Sequence, residues 1–288
     1  MKNGFININK AAGMTSHDAV NKIRRIFNTK KVGHGGTLDP FATGVLPVAI
    51  GKATRFIEYL FDSDKEYRAE IIFGVETDTG DITGKIVNSV NEIKIPSLEE
   101  VKGVLKELTG IIDQTPPKYS AIKINGRKAY ELARKNINFE IPTRQVEIKR
   151  LQAVELAENV LTIEVECSKG TYIRSLAVDI GKRLNLPAVL RRLERTRAGN
   201  FFINKSLTIE ELEERGESAL ISVESSLVKL KRFNLPEYRR QAFCNGLTTR
   251  INREFEEGEL MRVYAAEEFI GVGKIVDGEI KAAKLFVN

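Results

Sequence analysis

Hydrophobic and polar positions alternate with period two from Lys65 to Glu76. Tyr67, Ala69, Ile71, Phe73 and Val75 share one face, and the pattern predicts a strand. The same period runs from Asn159 to Cys167, where Leu161, Ile163, Val165 and Cys167 oppose Val160, Thr162, Glu164 and Glu166, predicting a half-buried strand. Phe5, Ile6 and Ile8 indicate a short first strand, and the unbroken apolar run from Val45 to Ile50 a buried one. Helical spacing appears elsewhere. Thr15 and Asp18 have capping-box separation ahead of Ala19, Val20, Ile23, Ile26 and Phe27, as do Ser97 and Glu100 ahead of Val101, Val104, Leu105 and Leu108. A Lys169-Gly170 turn precedes a third helical face of Ile173, Leu176, Ala177 and Ile180, and the acidic run Glu210 to Glu217 suits a solvated helix and connector. Strands and helices mix without regular βα alternation, so the fold class expected is α+β with a mixed, mostly antiparallel sheet.

After about Lys231 the pattern changes to short strands, with Asp277-Gly278 signalling a hairpin between Val272–Val276 and Glu279–Leu285. Residues 1–230 are therefore expected to form one domain, and residues 231–288 a small β-rich domain with its own core.

Composition narrows the partners. In 288 residues there are 45 Lys and Arg against 39 Asp and Glu, a net charge of +6 that favours a polyanion without naming it. Cys167 and Cys244 belong to no CxxC pair, and with only His17 and His34 beside them no familiar zinc spacing can be assembled. The thiols suit a reduced, cytoplasmic protein. The opening MKNGFININK lacks a signal-peptide apolar stretch, and no apolar run reaches the ~20 residues that span a bilayer. Neither a membrane nor a metal is expected.

The densest chemistry lies in Gly33-His34-Gly35-Gly36-Thr37-Leu38-Asp39-Pro40-Phe41-Ala42-Thr43-Gly44, with four glycines in twelve residues. Such a loop turns tightly and lets its backbone approach a ligand. Its single carboxylate, Asp39, precedes a proline that restrains it to extended geometry. That suits a nucleophile or an acid/base group; it also suits an Asx turn.

The stretch from Gly33 to Arg55 closely resembles the catalytic segment of the TruB family of tRNA pseudouridine-55 synthases. Further matches follow in order: Lys65-Glu66-Tyr67-Arg68, Cys167-Ser168-Lys169-Gly170-Thr171-Tyr172-Ile173-Arg174, and Leu190-Arg191-Arg192-Leu193. The opening GFININKAAGMTSHDAV also looks like the family's, departing at Ala11, where the family usually has proline. The resemblance implies cofactor-free isomerisation of a uridine in the T-stem and loop of tRNA, flipped from its stack. It also implies a PUA-like RNA-binding barrel at the carboxy terminus, and no obligate protein partner, hence a monomer.

The resemblance assigns roles residue by residue. Asp39 matches the catalytic aspartate and Arg174 the arginine paired with it; otherwise Arg174 reads as a surface cation. Tyr67 matches the tyrosine that stacks on the target base; otherwise it is a strand aromatic. Tyr172 and Leu190 are expected to line the pocket, and His34 to fill the space left by the flipped base. The cluster Lys182, Arg183, Arg191, Arg192, Arg195 and Arg197 is a candidate phosphate track, with Lys231, Arg232, Arg239 and Arg240 a second.

Three rival readings meet the same residues. A Walker phosphate loop fails, because six residues separate Gly44 from Gly51 and Ala53 follows Lys52. A non-catalytic RNA-binding module has no need of Asp39, Tyr67 and Arg174 together. A methyltransferase would need a Gly-rich strand-to-helix loop, and none fits.

Overall fold

A computed structural model describes residues 2–61, 63–135, 137–251 and 255–287. The amino-terminal part runs β1 (Gly4–Lys10), α1 (Ser16–Ile26), β2 (Val32–His34), β3 (Thr43–Ile50), α2 (Glu58–Phe61), β4 (Lys65–Phe73), β5 (Val75–Thr77), β6 (Ile86–Ser89) and α3 (Leu98–Glu107). Next come β7 (Gly110–Gln114), β8 (Lys123–Ile124), β9 (Arg127–Lys128), α4 (Ala129–Arg134), β10 (Arg144–Ala157), β11 (Val160–Cys167), α5 (Ile173–Arg183) and β12 (Ala188–Ala198). The remainder is β13 (Phe201–Phe202), α6 (Ile209–Arg215), α7 (Val223–Ser226), β14 (Lys231–Leu235), α8 (Arg240–Cys244), β15 (Thr249–Arg250), β16 (Leu260–Ala265), β17 (Glu268–Val276) and β18 (Glu279–Leu285).

The mixed α+β architecture with mostly antiparallel pairing is as the patterning predicts. The main sheet has the order β1-β3-β12-β4-β11-β10-β7, with one parallel contact between β12 and β3. Both capping boxes form, Thr15 with Asp18 and Ser97 with Glu100. The strand expected over Lys65 to Glu76 is split, because Gly74 adopts φ +95° and ends β4 at Phe73. Helices α1, α3 and α5 contribute their apolar faces to one core, which also contains Ile71, Phe73, Ile163 and Val165 of the sheet. Around β4 the alternate positions carry charge. Glu66, Arg68 and Glu70 alternate with the buried residues of β4, and cross-strand pairing sets them beside Glu164, Glu166, Arg192 and Arg197.

A second, five-stranded sheet of order β14-β16-β17-β18-β15 begins at Lys231 and includes the Asp277-Gly278 hairpin. Leu235, Phe243, Met261 and Ile270 form a core beneath it. A further apolar cluster is built from both parts of the chain: Phe5, Phe56 and Leu60 pack with Tyr264, Phe269 and Val272. The Phe56 ring meets Phe286 edge-on, centroids 5.7 Å apart. Among the described residues no helix is long and apolar enough to cross a membrane.

Candidate active site

The Gly-rich loop is held from several directions, and each restraint bears on Asp39. The Ser16 hydroxyl, in the first turn of α1, donates to the Leu38 carbonyl at 3.1 Å and accepts from the Leu38 amide at 2.9 Å. Just beyond Asp39, the Pro40 carbonyl accepts from the Gly13 amide at 2.8 Å. The Lys10 ammonium donates to the carbonyls of Ala11, Met14 and Pro40. Burial lowers the Lys10 pKa to about 8, against the raising effect of Asp39 nearby. Gly44 closes the loop at φ +99°, where a Cβ would sit 2.3 Å from the Arg195 carbonyl oxygen, so only glycine fits.

Arg174 lies in the first turn of α5, and its guanidinium is nearly all buried. Nη2 donates to Asp39 Oδ1 at 3.1 Å, and Nε is 2.9 Å from Oδ2, an ion contact without hydrogen-bond geometry. The same head donates to the carbonyls of Thr79 at 3.2 Å and Tyr119 at 3.0 Å, and Nη1 stands 3.5 Å from Asp81 Oδ2. Asp81 is itself buried, its Oδ1 accepting from the Thr79 and Thr83 hydroxyls and the Thr83 amide. One guanidinium thus ties two carboxylates and two loops together. Only Asp39 of the three keeps a solvent-facing side chain, 32 % exposed against 5 % for Arg174 and 6 % for Asp81.

Burial raises the Asp39 pKa above its ordinary value; Arg174 opposes this, and the second carboxylate at Asp81 adds to it. Tyr67 begins its strand opposite Arg195 and packs half-buried against the core. Burial raises the pKa of its hydroxyl, against the lowering effect of the Arg195 guanidinium beside it. His34 is pushed down by burial and by the same Arg195, and its Nδ1 is buried without a hydrogen-bond partner. The Tyr172 ring lies under the Arg144 guanidinium at 4.8 Å. The five candidates thus come from three segments: Asp39 meets Arg174 directly, Tyr67 and His34 both lie near Arg195, and Tyr172 stands two residues before Arg174.

Most of the remaining candidates are buried or ion-paired. Leu190 pairs with Ile71 and its side chain is fully buried. Its backbone accepts from the Ile82 amide and donates to the Gly80 carbonyl, anchoring the Asp81 loop. Leu193, opposite Ala69 and two residues from Arg195, is the leucine on this face nearer Tyr67.

Arg195 is not a phosphate contact. It is 1 % exposed, and donates to the carbonyls of Val45 at 2.7 Å, Gly36 at 3.1 Å and Thr37 at 3.4 Å. It is a buried brace for the loop that carries Asp39. Arg197 pairs with Glu66 at 2.9 Å and Glu166 at 2.7 Å, and Arg191 and Arg192 flank Glu70 at 3.7 and 3.4 Å. These belong to the charged face of the sheet, whereas Tyr67 faces the other way. Arg183 meets Glu107 at 3.8 Å; Lys231, Arg232 and Arg240 pair with Glu259, Glu267 and Glu268. Neutralising Arg191 and Arg192 together should leave the slope of log affinity against log salt unchanged for an RNA ligand. If each neutralised a single-stranded phosphate, that slope would flatten by roughly 0.7 per contact. A salt titration of the double variant distinguishes the two.

Sequence placed Arg195 only in the candidate phosphate track, and Asp81 and Gln114 were not singled out by it. Nor were the exposed cations Lys118, Lys123, Arg127, Lys128 and Arg134, which lie between β7 and β10 on the segment whose Tyr119 carbonyl contacts Arg174.

Known proteins are similar to this chain over nearly its whole length. Residues 24–173 match the family model described as TruB family pseudouridylate synthase, N-terminal domain, and residues 232–286 that described as pseudouridine synthase II TruB, C-terminal. The chain is 40% identical to the tRNA pseudouridine synthase B of Clostridium tetani, over 99% of this chain and 100% of that protein. It is 43% identical to the protein of that name from Caldanaerobacter subterraneus, over 98% and 99% respectively. Among solved structures, a Cbf5-Nop10-Gar1 complex contains a chain 26% identical, with a TM-score of 0.78 over 99% of this chain and 85% of that one.

Proposed function

Because the chain belongs to the TruB family of pseudouridine synthases, we propose that it isomerises the uridine at position 55 in the T-loop of tRNA, without cofactor, using Asp39 as the catalytic carboxylate. The observation that carries this reading is the buried Arg174 guanidinium, fixed on its other sides by Asp81, Thr79 and Tyr119, presenting Asp39 at the exposed end of the network.

Moving a base from a nitrogen to a carbon attachment needs no redox change. It needs a group to engage the base or sugar while the glycosidic bond is broken, and later a site to take up the proton released from carbon 5. An ionised carboxylate serves whether it attacks the base, attacks the sugar or assists elimination. Arg174 keeps Asp39 ionised against the desolvation of a closed pocket and fixes its direction. Tyr67 offers a ring for stacking, Tyr172 a second surface beside it, and His34 the means to fill the vacated stack. The glycines allow the flipped nucleotide close to the backbone.

In this reading the sugar-phosphate chain is met by the exposed cations between β7 and β10 rather than by Arg191 and Arg192. The sheet beginning at Lys231 acts as a PUA-like RNA-binding domain, and the protein works in the cytoplasm as a monomer.

Replacing Tyr67 by Phe keeps the stacking surface and removes only the hydroxyl, whereas Leu removes both. Leu is expected to be at least about tenfold slower than Phe under single-turnover conditions. Equal activity of both with wild type would remove Tyr67 from the pocket. The substrate assignment is tested with an isolated T-stem-and-loop RNA. Conversion of its target uridine is expected; the same RNA with cytidine there should bind without reacting. A uridine hairpin that binds but does not react would argue against the T-loop uridine as the substrate.

A further inference from the structure

Gln114 ends β7 with its side chain fully buried, and spends both ends of its amide on one residue of another element. Its Nε2 donates to the Tyr172 carbonyl at 3.1 Å, and its Oε1 accepts from the Tyr172 amide at 2.8 Å. A side-chain amide used this way imitates a neighbouring strand and fixes one peptide in position and rotation. Tyr172 is the N-cap of α5 and has no capping side chain of its own, so its backbone conformation is set from outside.

We propose that Gln114 is a positioning residue for the isomerisation, setting Arg174 against Asp39 by fixing the backbone of Tyr172. Arg174 is two residues beyond the clamped one, about 3 Å along the helix axis at ~1.5 Å per residue. A shift or rotation of Tyr172 therefore reaches the guanidinium almost undiminished. The contacts at stake, 3.1 and 2.9 Å to Asp39, leave no slack for such a shift.

The seam continues from there. The Ser175 hydroxyl donates to the Thr115 carbonyl at 2.7 Å, and Arg174 itself donates to the Tyr119 carbonyl at 3.0 Å. From the neighbouring strand, Arg144 pairs in register with Gln114, donates to the Gly170 carbonyl and covers the Tyr172 ring. The β7–β10 edge thus grips the turn into α5 from both sides, with Gln114 holding its backbone.

The inference rests on Asp39 and Arg174 being the reacting carboxylate and its partner, and the experiment separates the two claims. Full-length wild type, Gln114→Met, Gln114→Glu and Asp39→Asn are compared for single-turnover rate at saturating tRNA, for tRNA affinity and for melting temperature. Met keeps the length and loses both polar contacts. Glu keeps the acceptor for the Tyr172 amide and sets a carboxylate against the Tyr172 carbonyl. Both are expected to lose roughly tenfold to hundredfold in rate per folded molecule, the scale of a small misplacement at a reacting centre, with affinity within about threefold. An inactive Asp39→Asn alongside a Gln114→Met of wild-type rate per folded molecule would overturn the positioning role and leave the site assignment standing. An active Asp39→Asn would instead remove the site assignment on which it rests. Should Met fail to fold, Glu at wild-type rate would overturn the role equally.

Discussion

Replacing Asp39 by Asn should abolish turnover while leaving tRNA affinity within about tenfold of wild type. The amide keeps the shape of the carboxylate and can still face Arg174, but it carries neither the charge nor the electron pair that the reaction uses. The fold should not suffer. Burial raises the Asp39 pKa, so the folded state favours the protonated form; the ionised form costs stability once pH rises through that value. Asn carries no such cost, and Arg174 retains Asp81 and two carbonyls, so the melting temperature at neutral pH should be equal or higher. The same shift predicts that the wild-type single-turnover rate falls on acidification at a pH above the ordinary aspartate range. A pH profile of rate, with melting curves for both proteins, checks the pair of claims. Near-wild-type turnover by the variant would remove Asp39 from the chemistry.

Arg174→Lys should be the second severe loss, a fall of at least ~10² in single-turnover rate. The wild-type guanidinium serves four groups at once: Asp39, Asp81 and the carbonyls of Thr79 and Tyr119. An ammonium has three donors and is a compact charge without the planar fork, so it cannot serve all four in the same geometry. A buried carbonyl or carboxylate that it abandons loses its guanidinium partner, which also predicts a lower melting temperature for this variant, unlike Asp39→Asn. The rate per folded molecule separates the lost orientation from the lost stability. Full rate per folded molecule would mean that the charge, rather than the fork, is what Asp39 needs.

The two variants mark the division between what sequence reveals and what it conceals. Period-two strands and capping boxes are local, so β4, β11, α1 and α3 could be read directly from neighbouring residues. Asp39 stood out because glycines and a proline surround it. Arg174, 135 positions further along, carried no local signal beyond its family motif, since a cation opening a helix is ordinarily solvated. Arg195 was misread for that reason: arginines grouped in sequence suggest a surface patch, but strand alternation sends Arg195 into the core and Arg192 to the opposite face. Asp81 and Gln114 matter through their contacts with Arg174 and Tyr172, far away in the chain, and nothing around them in sequence announces those contacts. After Lys231 the chain has an apolar cluster of its own, and the aromatic cluster of Phe56, Phe269 and Phe286 joins the two parts of the chain.

The most direct test of the account is to incubate the protein alone with an unmodified tRNA transcript, in buffer containing a chelator, and to map pseudouridine by position. A single pseudouridine at position 55 is predicted, formed by wild type and absent with Asp39→Asn. Pseudouridine at another position, formation by the Asn variant, or no product until a metal or cofactor is added would contradict it.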